Sequence, residues 1–157
     1  MRLIIQGKPT HLKKSEIRFA AQWAVKELIG KRLSHNINCY MEFKKIKKNY
    51  YGSCLPVRYL RTEPKARSFR IEIDSASRRK TQLTTVFHEI AHLKQLAMEE
   101  LIYNNVDDIH LWRHKQKIDE NEYSYYDLPW EIDARKIEKM LARRYADFIK
   151  ENYISFV

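Results

Sequence analysis

Three glycines, four prolines and two cysteines in 157 residues leave the chain short of the residues that make flexible linkers, sharp turns and covalent staples. So little glycine and proline excludes a linker of the usual composition, and a single domain over residues 1–157 is expected. A chain of this length buries about two thirds of its unfolded surface, so it needs no disulfide framework to fold. Cys39 and Cys54 are too few for a four-cysteine zinc ribbon, and any metal must therefore be held by histidine and carboxylate. They read as reduced thiols filling small core positions, with a pairing across a hairpin as the lesser alternative. No apolar run approaches the roughly 20 residues that span a bilayer, so no membrane partner is expected. Residues 1–8 carry charge but no apolar stretch of signal-peptide length, and the chain reads as cytoplasmic. Internal repeats and low-complexity segments are missing too.

What the chain has in abundance is positive charge, unevenly placed. The net charge is +10. Residues 1–80 account for +14 and residues 81–157 for −4. Lys44-Lys45-Ile46-Lys47-Lys48 and Arg78-Arg79-Lys80 are the densest basic stretches. Such a field attracts nucleic acid or acidic protein surfaces, and equally serves as ordinary solvated surface. An apolar content of 44% excludes global disorder.

The chemistry concentrates in residues 83–101, around His88-Glu89-Ile90-Ala91-His92. Residues four apart on a helix lie about 40° from each other around the axis, so both imidazoles reach one metal ion from one face. Glu89 cannot bind that ion from the same direction, but it can hold a water lying on it, the geometry of metal-assisted hydrolysis. Leu83, Val86, Phe87, Ile90, Ala97 and Leu101 form a separate apolar stripe at steps of three and four, which predicts a helix docked in a core. The two histidines fall outside that stripe. A zinc hydrolase with Glu89 as general base is the expected chemistry.

Around this helix, Ser15 is suited to cap a helix running to about Ile29, with Gly30 as its stop and Ile17, Ala20, Ala21, Ala24 and Leu28 as its inner face. Residues 37–43, 55–60 and 69–74 suit strands, the last with the cleanest alternation, and a basic turn occupies 44–53. Pro56 marks its strand as an edge or an irregular one. A small, largely antiparallel sheet beside the metal-site helix is expected, giving an α+β fold. Strand 69–74, were it an edge, would accept an extended peptide as an added strand. Pro129 opens a last long helix, docked by Trp130, Ala134, Ile137, Leu141, Tyr145 and Phe148.

A catalytic zinc site takes three protein ligands and leaves one position open. The third ligand must come from beyond His92. Glu131 is one candidate, in the first turn of the last helix with the small Ala134 nearby. His110, with His114 four residues on, is the rival, although Leu111 and Trp112 there read as core anchors. Asp133 is a weaker third choice.

HEIAH followed by an E-x-x-A helix resembles the gluzincin branch of zinc metallopeptidases. More narrowly, HEIAHLKQ together with YYDLPWEIDA resembles small metallopeptidase-like proteins encoded by bacteriophages, a likeness that spans about residues 69–150. The resemblance implies a minimal zincin-like domain, one Zn²⁺ bound by His88, His92 and Glu131, Glu89 as base, a polypeptide substrate and action in the host cytoplasm. Two positions depart from the pattern. Asp133 stands where the phage proteins carry glutamate, and Arg135 where several gluzincins carry the aspartate that supports a ligand histidine. SprT-like, DNA-linked proteases are less similar, since residues 108–114 lack their glycine-bearing histidine motif. Tyr123, Tyr125 and Tyr126 are the candidate donors to the oxyanion. A weakly active zinc protein that binds nucleic acid or a host protein through its basic half is the alternative function.

Overall fold

The computed structural model describes residues 1–46, 50–57, 65–103 and 108–152. Ten regular elements follow one another: β1 (Arg2–Gly7), α1 (Lys14–Ser34), β2 (Asn38–Lys44), β3 (Gly52–Pro56), β4 (Ser68–Asp74), α2 (Arg79–Ala97), β5 (Leu101–Ile102), β6 (Ile109–Trp112), β7 (Gln116–Asp119) and α3 (Pro129–Glu151). Two short 3-10 turns, Glu120–Glu122 and Tyr125–Asp127, lead into α3. The class is α+β, with an N-terminal helix and a long C-terminal one.

The sheet that carries α2 has the order β1-β2-β4-β3 and is mixed. β1 and β2 pair in parallel, as do β2 and β4, while β3 runs antiparallel to β4. Antiparallel pairing was expected to dominate here. The difference arises because β1 and β2 are joined by a helix, whose crossover length allows parallel pairing, and because β4 inserts between β2 and β3 instead of following β3 outward. β1 itself was not anticipated, since the exposed Ile4 between the buried Leu3 and Ile5 hides the alternation. The same insertion separates Cys39 on β2 from Cys54 on β3, which therefore do not face each other across a hairpin. Both are free, buried thiols.

Strict alternation along β4 turns Phe69, Ile71 and Ile73 inward. They meet Met41 and Phe43 from β2, Ile17, Ala20, Ala21 and Ala24 from α1, and Val86, Phe87 and Ile90 from α2 in one core. Each large side chain buried there contributes about 1.5–3 kcal/mol. Gly30 is where α1 is interrupted, at φ 79 and ψ 162, so its expected stop is a break followed by one further turn to Ser34. Lys13, not Ser15, occupies the cap position, with no side-chain bond. Tyr145 on α3 brings its ring centroid to 5.2 Å from Trp23 on α1 and 5.5 Å from Phe87 on α2, locking the three helices together.

α2 stops sooner than the apolar stripe suggested. The Glu99 N–H bonds Leu96 O at 3.2 Å and the Glu100 N–H bonds Gln95 O at 2.7 Å. With Glu99 at φ 58, this is a Schellman stop built on a residue other than glycine. Leu101 is therefore buried from a strand, β5, and not from the helix. β5, β6 and β7 form a second, antiparallel sheet between α2 and α3. Residues 58–60, expected at the end of a strand, and 47–49 of the basic turn lie outside the described residues.

β3 is the edge of the larger sheet, and it passes very close to α2. A Cβ on Gly52 would stand 2.6 Å from Thr85 Cγ2, 2.7 Å from Glu89 Oε1 and 2.9 Å from Glu72 O. Gly52→Ala must therefore push β3 away from the helix. A loss of about 1–3 kcal/mol is expected in chemical denaturation, the usual cost of overpacking; a variant as stable as the parent would show that the strand yields freely.

Candidate metal centre

α2 places His88 and His92 one turn apart, and Glu89 between them. Glu131 arrives from the first turn of α3, where Pro129 occupies the first helical position and the Glu131 N–H bonds Leu128 O at 2.9 Å. Trp130 is buried beside it, and the fully buried Ala134 lets the two helices approach closely. His92 Nε2 lies 3.1 Å from His88 Nε2 and 3.1 Å from Glu131 Oε1, and His88 Nε2 lies 3.3 Å from Glu131 Oε2. Among the described residues, these three form the group of side chains able to hold a metal ion.

The donor set fits such an ion closely. Four ligands at about 2.0–2.1 Å in a tetrahedron are separated by about 3.3 Å, the spacing seen here. Each histidine has its other nitrogen engaged: His88 Nδ1 meets Glu138 Oε2 at 3.1 Å and His92 Nδ1 meets Gln95 Oε1 at 2.9 Å. With Nδ1 as the donor in both, two bare Nε2 lone pairs and a carboxylate point at one another. Glu131 Oε2 is buried and has no hydrogen-bond partner of its own. Such a cluster of acceptors calls for a cation.

Without a metal, a proton on His88 takes that cation's place. Burial works against charge on His88, but Glu131 and Glu138 beside it push the imidazole up to about 10. Burial would raise the Glu131 carboxyl, and the two imidazoles hold it down to about 2. Glu89 is 3% exposed. Burial pushes its carboxyl up to about 7 against the pull of His92 and His88.

The supports of the two histidines come from outside the motif. Arg135, one turn after Glu131, places a nitrogen 3.8 Å from its Oε2. Glu138 and Gln95 provide those supports, and sequence reasoning missed both. Gln95 lies three residues from His92 and so shares its face of α2, a legible signal. Glu138 meets His88 only because α3 runs antiparallel to α2, which the sequence does not state.

The rival ligands lie elsewhere. His110 is buried against Trp130, ring centroids 5.5 Å apart, and its Nε2 meets Glu120 Oε2 at 2.8 Å. His110 stands on strand β6 and His114 in the turn after it at φ 64, so their four-residue spacing does not put them on one face. Asp133 bonds Gln95 and Arg113.

A cleft of about 450 Å³ opens beside the centre, lined by Cys54 and Leu55 of β3, by Tyr103 and Tyr125, and by Glu89 and His92. An adjoining hollow of about 330 Å³ continues past His88, Arg135 and Glu138. Tyr125 lines both hollows beside Glu131, and burial together with that carboxylate pushes its hydroxyl pKa up. Tyr126 borders both hollows, with the Arg135 guanidinium 5.6 Å from its ring centroid. Tyr123 faces a different recess, with Asp108 and Glu120. Strand 69–74 is interior, so among the described residues the sheet edge beside the cleft belongs to β3.

Glu131→Ala is expected to lower bound metal on the purified chain by at least tenfold in affinity, whereas His110→Ala leaves it within twofold; the reverse would move the third ligand to His110. No family model, curated protein or solved structure matches this chain.

Proposed function

We propose that the chain is a zinc-dependent peptidase. The observation that carries this reading is the tetrahedral spacing of His88, His92 and Glu131, with a buried carboxylate, Glu89, adjacent to the first ligand and lining the cleft. Two imidazoles and a carboxylate are a donor set used for catalytic zinc, with one position left open. A zinc ion held there would polarise a carbonyl and bring the pKa of water towards about 7.

The chain's own residues do the rest. Glu89 takes the proton of the attacking water and returns it to the leaving amine, a contribution of about 10²–10⁴ in rate. Its burial among cleft residues keeps bulk water from competing for that proton. Tyr125, next to Glu131, donates from its hydroxyl to the oxyanion that develops on the scissile carbonyl. Among the described residues β3 is the outer strand along the cleft, so an extended polypeptide pairs there as an added strand, largely regardless of its sequence. An outer strand placed in this way favours a peptide substrate over a small molecule. No helix among the described residues is long and apolar enough to cross a membrane.

Glu89→Gln is expected to retain zinc at parental stoichiometry and to lose at least about a hundredfold in peptide hydrolysis. Tyr125→Phe should lower kcat by about tenfold or more with little change in zinc content. The assay is release of fluorescence from a mixed peptide library, with metal content measured on the same samples. Cleavage by Glu89→Gln at the parental rate would remove the base assignment. A parent that binds zinc and cleaves nothing in the library would instead support a metal-bound binding protein.

A further inference from the structure

We infer that Asp133, held by Arg113, fixes the tautomer of His92 through Gln95, so that a surface turn far along the chain positions a metal ligand. The inference rests on the metal-centre reading above and concerns what prepares one of its ligands.

Gln95 is fully buried. Its Nε2 donates to Trp130 O at 2.9 Å and to Asp133 Oδ2 at 3.0 Å. Both partners only accept: one is a main-chain carbonyl, the other a carboxylate whose second oxygen takes a bond from Arg113 Nη2 at 3.0 Å. The amide nitrogen must therefore face α3, because the oxygen in its place would meet two acceptors. Oε1 is left on the opposite side, 2.9 Å from His92 Nδ1. An amide oxygen cannot donate. The His92 proton is consequently confined to Nδ1, and Nε2 presents its lone pair to the metal position.

His88 is arranged differently, with the Glu138 carboxylate directly on Nδ1. His92 takes its orientation from a three-member relay. The outer end of the relay explains the strained turn of the small sheet. Arg113 follows β6 at φ 49, and its N–H bonds Glu100 O at 2.6 Å, just past the end of α2. The turn is thus tied to α2 through its backbone and to α3 through its guanidinium.

The relay separates from a simpler account at Gln95. A carboxylate on a ligand's Nδ1 ordinarily strengthens metal binding. If only the contact with His92 mattered, Gln95→Glu would tighten zinc. In the relay it weakens zinc, because the new carboxylate's second oxygen faces Asp133 and the Trp130 carbonyl. Adding Asp133→Asn supplies an N–H donor to that oxygen and restores binding.

Zinc affinity is measured on the full chain by competition with a chromophoric chelator, and thermal unfolding of the metal-free proteins serves as the control for folding. Imidazole ¹⁵N spectra of the metal-free parent give the tautomer. The expected results are a His92 signal with the proton on Nδ1, a loss of about tenfold or more in zinc affinity for Gln95→Glu, and recovery of most of it in Gln95→Glu/Asp133→Asn. Asp133→Ala, which spares Gln95, loses about threefold to tenfold. Zinc binding by Gln95→Glu equal to or tighter than the parent's would overturn the relay while leaving the metal centre standing. No recovery in the double variant, or parental affinity in Asp133→Ala, would do the same. A parent without zinc affinity overturns the metal centre and the relay together.

Discussion

The antiparallel packing of α3 on α2 is the constraint on which the rest of the molecule depends. It brings the first turn of α3 against the C-terminal half of α2, so that Glu131 meets both His88 and His92 while Glu138 lies farther down beside His88. Trp130 and Ala134 set this approach, the first by filling the space next to the ligand and the second by leaving room for α2. The contacts of Glu131 and Glu138 with the histidines are lost if the two helices separate. The aromatic contacts of Trp23, Phe87 and Tyr145 at the far end of the packing oppose that separation. Core burial thus holds together a polar site that could hold a metal ion.

Scarcity of glycine shapes the connections. Glu99, Asp108, Arg113 and His114 all adopt left-handed backbone conformations. A residue with a Cβ spends about 1–2 kcal/mol in that region. All four lie in the segment that carries the small sheet between α2 and α3, so the strain is concentrated in the piece of chain that sets where α3 begins. Glycine itself is used where contact demands it. Gly52 lets β3 run against Thr85 and Glu89, and this close passage makes β3 a wall of the cleft.

The order β1-β2-β4-β3 has a functional consequence as well. Inserting β4 in the middle places the strand with the best alternation and the largest apolar residues where both its edges are paired. The short, proline-terminated β3 is left outside, beside the metal centre. The strand with the most regular pattern is therefore the least suited to receive a peptide, and the least regular one is the best placed.

Much of this was legible in the residues. The HEIAH spacing, the helix around it and the opening of α3 at Pro129 follow from local chemistry, since a helix puts residues four apart on one face wherever it packs. Glu131 was a candidate for the same reason, and only its neighbours in space separate it from His110. The tertiary structure decided that choice: His110 lies on a strand against Trp130, where helical spacing has no meaning. Glu138 became a partner of His88, and Arg113 of Asp133, only through tertiary packing, because they act across separations of up to 50 residues that no local pattern encodes. The short strands β5, β6 and β7 were hidden because two to four residues are too few to show a period, and their turns lack the glycines that normally mark them. Local spacing, in short, supplied the ligands that share one helix, and long-range packing supplied everything that meets them from another.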